Sequence, residues 1–374
     1  MRTAAVLFLW SILASPAGAA DSSYKIGVPV GLSGYASVTD HAWRDGVALA
    51  ADVLNAKGGA GGHKIELVVE DNHSQPQDAV IAYKKMISSD HVQTFDSGCV
   101  SAGNFAAAGA VVREKIPNLT CGVLPGDAAQ RNWMFAMRLP ARFELELRFS
   151  YLRDHTSIRR VGILYDATPY SQMQKDLAVK VAQEFKIDVV DTQSYNQDDA
   201  DLSVQIGHIA SAGGKAVLKV GVGGSTVTAA KNLSQLGLDL PLFGSSDDLS
   251  VFRAAAEALG DRFFFVAETP QFVDTLPSGP ARQATETFLK QWNAKYPGRD
   301  GSVAAHAWDS VMLLAQAVDL AKSTDGVAVR DALEKLPPYQ GAASVYRFSS
   351  ATHEVSSNPL ALGRIKNGKV VLAH

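Results

Sequence analysis

Residues 24–34 read Tyr24-Lys25-Ile26-Gly27-Val28-Pro29-Val30-Gly31-Leu32-Ser33-Gly34, a strand that runs into a glycine-rich turn. Ile26 to Val30 is the apolar run, and Gly31 to Gly34 brings small residues and open backbone amides to its carboxyl end. Ligands of α/β folds bind at that end of a strand. The next residues repeat Val47, Ala50, Ala51 and Leu54 at helical spacing down to Lys57, with Thr39 or Asp40 expected as the cap. Gly58, Gly59, Gly61 and Gly62 stop this helix, and Ile65 to Glu70 is the following strand. A strand–helix–strand unit is complete by Asn72, which predicts a parallel sheet.

The first twenty residues stand outside this pattern. Arg2 supplies a positive start, Ala4 to Leu13 is an apolar run too short to span a bilayer, and Ala17-Gly18-Ala19-Ala20 is a small-residue cleavage site. Residues 1–20 therefore read as a secretory signal peptide, and no cysteine follows the run to carry a lipid anchor. The expected location is the periplasm, as a free protein. The remaining chain, roughly 350 residues, is long enough for two domains. A net charge of −3 with both signs interspersed leaves no footprint for nucleic acid or anionic lipid.

Strand-like and helix-like segments alternate onward. A helix is expected at about Pro76 to Ser88, a strand at Val92 to Phe95, a turn at Gly98 to Ser101, a helix through Ala106 to Glu114 and a strand at Ile116 to Thr120. The pattern starts afresh near Arg160, with strands Val161 to Tyr165, Val189 to Tyr195, Ala216 to Val220, Leu242 to Gly244 and Phe263 to Val266. Helices through Leu177 and Val181, Leu202 to Ala212 and Thr226 to Leu236 separate the first four. Helices Pro280 to Tyr296, Val303 to Lys322 and Val327 to Leu336 then precede strand-like pieces at Ser344 to Phe348, Leu360 to Lys366 and Lys369 to Leu372. The expected architecture is α/β, two Rossmann-like lobes with parallel central sheets joined by three crossings near Leu139, Pro270 and Gly341. Lobe 1 is then 21–139 plus 271–341, and lobe 2 is 140–270 plus 342–374.

Each lobe presents glycine and hydroxyl residues where a strand meets a helix. In the first these are Ser33-Gly34, Gly98 to Ala102 and Cys121-Gly122-Val123; in the second, Tyr170-Ser171, Gly221 to Ser225 and Gly244 to Asp248. A helix start offers unpaired N–H groups and a positive dipole end, and so holds a carboxylate without a basic side chain. Cys99 and Cys121 each end a strand; in an exported protein they are either a disulfide or two buried, inert thiols. No histidine stands at ligand spacing beside them, and no metal or other cofactor is expected. Gly221-Val222-Gly223-Gly224-Ser225 lacks the lysine of a phosphate loop, and no Gly-x-Ser-x-Gly elbow occurs. His41 and His306 are the histidines expected near the cleft, without a nucleophile. Enzymatic chemistry is not expected.

Lys25-Ile26-Gly27 through Leu32-Ser33-Gly34, Gly46, Leu54-Asn55 with Gly58-Gly59, and Ile65 to Asp71 closely resemble the periplasmic Leu/Ile/Val-binding family of ABC importer receptors. The resemblance continues through Arg138, Tyr165-Asp166 with Tyr170, Leu236-Gly237-Leu238 ahead of Phe243-Gly244, and Trp308-Asp309. It implies a type I periplasmic binding fold, a monomer that closes on a small molecule and hands it to an inner-membrane permease. A sensory module of the same fold, delivering its liganded state to another partner, is the alternative.

The resemblance assigns the ligand carboxylate to Val100, Ser101 and Ala102 and to Gly122, Val123 and Leu124, and the covering aromatic to Tyr170. Gly221 contributes from the second lobe. Leu124 stands where the family usually has a threonine, and Ala102 where it often has a second serine. Ser246 occupies the place of the acid that pairs with a ligand amine, unless a one-residue slip brings Asp247 there. Trp43, with Tyr35, Leu124, Tyr170 and Phe272, is expected either to build an aromatic pocket or to pack in the core. Arg142 is either a carboxylate contact or a solvated surface charge. The implied ligand is a small organic acid, a branched-chain amino acid or an aromatic carboxylate.

Overall fold

The computed structural model describes residues 23–373 apart from Asp198, Ser356 and Asn358; the signal peptide expected at 1–20 lies outside the described residues. In chain order the first half is β1 (Tyr24–Val30), α1 (Ser37–Asn55), β2 (Ile65–Asp71), α2 (Pro76–Ser88), β3 (Thr94–Ser97), α3 (Ser101–Glu114), β4 (Asn118–Thr120), α4 (Ala128–Arg131), β5 (Met134–Ala136) and α5 (Ala141–His155). There follow β6 (Arg160–Asp166), α6 (Pro169–Glu184), β7 (Asp188–Tyr195), α7 (Ser203–Ser211), β8 (Val217–Lys219), α8 (Ser225–Gln235), β9 (Leu242–Gly244), α9 (Leu249–Leu259) and β10 (Phe263–Ala267). The chain ends with α10 (Pro280–Lys295), α11 (Ser302–Ala321), α12 (Gly326–Leu333), β11 (Tyr339–Gln340), β12 (Val345–Tyr346), β13 (Ala361–Lys366) and β14 (Lys369–Leu372).

One sheet is parallel throughout, in the order β2-β1-β3-β4-β5. A second runs β14-β13-β10-β9-β8-β6-β7, parallel except where β13 and β14 join antiparallel at the edge, and β11 and β12 pair antiparallel apart from both. Parallel strands need both faces covered. In β1 the burial is nearly continuous, with α1 and α11 against the sheet. α1 buries Trp43, Val47 and Ala50 on one helical stripe. Gly46 lets it approach α11, since a Cβ there would fall on the Ala304 carbonyl oxygen and 2.9 Å from the Ala307 methyl.

Several expectations need correction. α1 starts at Ser37 with Ala36 as a cap that makes no side-chain hydrogen bond, so Thr39 and Asp40 are inside the helix. α3 begins at Ser101, five residues before the expected apolar run, placing Ser101 and Ala102 in its first turn. α5 and α9 were not anticipated; α5 turns Glu144 and Arg148 inward among Leu145, Phe149 and Leu152, which breaks the apolar period. The crossings also move. Phe272 and Leu276 pack in the second lobe's core, so the chain does not leave that lobe at Pro270. Ala342, Tyr346, Phe348 and Val355 belong to the first core, where Phe348 meets Phe135 edge-on at 5.1 Å between ring centres. The return to the second sheet therefore comes after Val355, not at Gly341.

Replacing Gly46 with valine should force α1 and α11 apart and lower the unfolding free energy by about 3 kcal/mol, read by urea denaturation.

Candidate functional site

Both sheets turn the carboxyl ends of their strands toward one cavity. From the first lobe it is lined by Tyr35 and Ala36 after β1, by Cys99, Ser101 and Ala102 at the start of α3, and by Cys121 to Leu124 after β4. Facing these are Asp166 and Thr168 to Tyr170 after β6, Gly221 and Val222 after β8, and Ser246 to Asp248 after β9. Arg138 after β5 and Glu268 after β10 close it, with Ser302, Val303 and His306 on the α11 side. In each sheet the strand order reverses once at the cavity, between β1 and β3 and between β6 and β8. Doubly wound sheets bind ligands at such points.

Asp40 holds the first wall together from behind. Its buried carboxyl accepts the Gly31 N–H at 2.6 Å and the Cys99 N–H at 2.7 Å, joining the turns after β1 and β3. Burial pushes this carboxyl up to about 7, against the pull of those two N–H groups. Cys99 and Cys121 form a disulfide, with their α carbons 4.6 Å apart.

The wall offers fewer free amides than expected. The Gly122 N–H donates to Thr120 Oγ1 at 3.0 Å and the Val123 N–H to Ser101 Oγ at 3.2 Å, so both are used within the wall. With that lone pair engaged, Ser101 keeps its single hydroxyl proton to donate. Ala102 lies in the first turn of α3, where an N–H has no intrahelical acceptor, and Val100 supplies no side-chain cap. Among the described residues the Leu124 N–H also has no partner. Ser101, Ala102 and Leu124 therefore make a donor set suited to a carboxylate.

The second wall is built from carboxylates. Asp166 folds its own turn by accepting the Thr168 N–H at 2.9 Å and the Ser171 hydroxyl at 2.7 Å. Gln174 donates to the Tyr170 hydroxyl and accepts the Gly221 N–H, both at 2.9 Å, so tyrosine and glycine are placed together. Gly221 has φ +85°, and a Cβ there would fall on Ser171 Oγ and Asp166 Oδ2. Asp247 accepts the Gly223 N–H at 2.6 Å and the Asp248 N–H at 2.8 Å. Burial pushes its carboxyl up, opposed by the Gly223 N–H and by the Lys219 ammonium. Lys219 is fully buried, and its ammonium is pushed down to about 8 by that burial.

A polar chain crosses the hinge side. Arg138 pairs with Glu268 and donates to Ser246 Oγ at 2.8 Å. The other Glu268 oxygen meets His306 Nε2 at 3.1 Å, and His306 Nδ1 meets the Tyr346 hydroxyl at 3.0 Å. Ser246 also donates to Glu144 at 2.8 Å. Burial alone would push Glu268 up, but Arg138 and His306 outweigh it and hold the carboxyl down at about 2.

Of the residues singled out from sequence, the cavity gathers Ser101, Ala102, Gly122, Val123, Leu124, Tyr170, Gly221 and Asp247. Four do not line it. Trp43 is fully buried, its indole N–H donating to Asp96 at 2.9 Å, because α1 turns that face to the core. Val100 is buried as the α3 cap residue, and Phe272 fills the second core. Arg142 faces outward, paired with Glu146 at 2.6 Å and Glu184 at 2.5 Å. His306 reaches the cavity; His41 does not line it, and its Nε2 meets the Leu32 carbonyl at 3.1 Å. Glu144, Gln174 and Glu268 carried no signal, being ordinary polar residues until three chain segments meet. Among the described residues no group of His, Cys, Asp and Glu is arranged to hold a metal, and no helix is long and apolar enough to cross a membrane.

The sequence profile of one family, periplasmic binding protein, matches residues 23–369. The chain belongs to the periplasmic binding protein family. Among its relatives is the Leu/Ile/Val-binding protein homolog 7 of Brucella abortus (strain 2308), 23% identical over 388 residues, covering 98% of this chain and 96% of that one. This binding protein also has the fold of the branched-chain amino acid transporter substrate binding protein LivJ from Streptococcus pneumoniae, solved with isoleucine. That match has a TM-score of 0.81 and 20% identity, over 93% of this chain and 98% of the other. A solute binding protein of an ABC transporter from R. palustris, solved with benzoate, gives a TM-score of 0.79 at 20% identity, over 94% and 95% of the two chains. The resemblance to the Leu/Ile/Val-binding proteins holds, and the fold is that of a type I periplasmic binding protein.

Glu268 binds its proton less readily folded, at about 2, than the usual 4.5. Its contribution is present above pH 4.5 and is lost as pH falls from there toward 2, a swing of about 3 kcal/mol. Urea titrations at pH 6 and pH 3 should show about 2 kcal/mol of that swing, and Glu268→Gln should shrink it. Trp43→Phe should cost about 1–3 kcal/mol of stability by stripping a donor from buried Asp96, while ligand affinity at the same temperature stays within about twofold.

Proposed function

We propose that this protein is the substrate-binding receptor of an ABC importer, exported to the periplasm with residues 1–20 removed. It binds a small organic acid by closing its two lobes and, as a monomer, delivers it to an inner-membrane permease. The observation that carries this reading is the donor set of Ser101, Ala102 and Leu124 across the cavity from Tyr170 and Asp247. A molecule touching both walls stabilises the closed arrangement by contacts that the open one lacks.

The ligand classes are branched-chain amino acids and aromatic carboxylates, as bound by the isoleucine and benzoate complexes of similar fold. The second wall favours the first of these. Glu144, Asp166, Asp247 and Glu268 line the cavity against the single guanidinium of Arg138, which is itself paired. An ammonium group beside the carboxylate suits that field, whereas a bare anion meets repulsion there.

A thermal-shift screen with L-leucine, L-isoleucine and benzoate tests the reading. At a hundred times its dissociation constant a ligand adds about 2.7 kcal/mol, a rise of several degrees. The aliphatic amino acids should produce it, a shift with benzoate alone would reverse the order of the classes, and no shift with either class would reject both. Ser101→Ala should weaken the bound compound by about tenfold or more, measured by calorimetry, since a hydrogen bond to a charged group is lost.

A further inference from the structure

The donors of the first wall hang from two turns that a covalent bond joins. Cys99 lies two residues before Ser101, Cys121 lies three before Leu124, and both cysteines line the cavity. Their bond sets the α carbons 4.6 Å apart. The other ties between the turns are weaker. The Cys121 N–H donates to the Ser97 carbonyl at 2.9 Å, Asn104 Nδ2 donates to the Gly98 carbonyl at 3.0 Å and to Thr120 Oγ1 at 2.8 Å, and Ser101 Oγ takes the Val123 N–H at 3.2 Å. The fit is already close at Gly122, where an added Cβ would come within 3.0 Å of Ser101 Oγ.

We propose that the Cys99–Cys121 disulfide is the positioning element of the carboxylate subsite, fixing the gap between the Ser101–Ala102 donors and the Leu124 donor so that ligand affinity depends on the oxidised bond. This rests on the carboxylate-binding reading above. A carboxylate held by three donors on two separate turns needs them at fixed spacing before it arrives, because each hydrogen bond weakens steeply with distance and angle. The bond supplies that spacing beyond the last backbone contact between the turns, where only side-chain contacts otherwise join them. An exported protein keeps such a bond oxidised. A staple with no part in binding would act differently, raising the stability of the whole first lobe and leaving the turns no better ordered than the strands that feed them.

The mature protein is compared in three forms: oxidised, reduced by a phosphine, and as the Cys99→Ala/Cys121→Ala double variant. Hydrogen exchange is followed in residues 99–105 and 121–125 against β1 and β2. Exchange in the two turns should rise about tenfold while β1 and β2 keep their protection. The dissociation constant of whichever of L-isoleucine and benzoate binds the oxidised form should rise by about five- to fiftyfold, mostly through faster release. Unchanged exchange in the turns, an equal rise in every segment, or an unchanged dissociation constant would overturn the proposal. Should neither compound bind the oxidised protein, the carboxylate-receptor reading fails on its own, and the exchange comparison still decides whether the bond orders the turns.

Discussion

The arrangement of the lobes depends on a buried carboxylate, Glu268, held between the Arg138 guanidinium and the His306 imidazole. Arg138 stands on the first crossing and Glu268 follows β10 inside the second lobe, while His306 belongs to α11 of the first lobe. Taking these groups out of water is costly, and the cost is met only with every partner in place. The adjoining contacts extend the tie, since Thr269 donates to the Ala343 carbonyl at 3.0 Å and Asp309 accepts the Ala342 and Ala343 N–H groups at 2.7 and 2.8 Å. Because Arg138, Glu268 and His306 also line the cavity, hinge and ligand site share side chains.

The two walls divide the chemistry. The first presents donors on α3 and after β4, backed by Asp40 and the disulfide; the second presents acceptors on Asp166 and Asp247, with Tyr170 placed by Gln174. Lys219 beneath the second wall moderates its negative field without lining the cavity. On the proposed reading, a zwitterion spans this polarity from end to end. On that reading neither lobe holds the molecule by both ends, so binding and closure are one event.

The doubly wound sheets were legible because β1, β2 and β6 carry apolar stretches closed by glycine or turn residues. The cavity turns were legible for the same reason, as glycine and hydroxyl residues mark the carboxyl ends of strands. What misled the reading was orientation. Trp43 lies one helical turn past a cavity residue, Thr39, yet its ring points to Asp96, and Phe272 follows the expected crossing at Pro270 yet fills the second core. A linear pattern places a residue on an element and leaves open which neighbour that face meets.

By itself, the sequence determined the alternation of strands and helices, the duplication into two lobes and the small-residue turns at the strand ends, since these are local consequences of hydrophobic period and backbone freedom. Tertiary structure alone decided that the Gly122 and Val123 amides are spent inside the wall, that Ser101 is left with a free proton, and that Arg138, Glu268 and His306 meet. Hydrogen bonds and buried charges pair groups far apart in the chain. Their partners exist only once the crossings bring the lobes together.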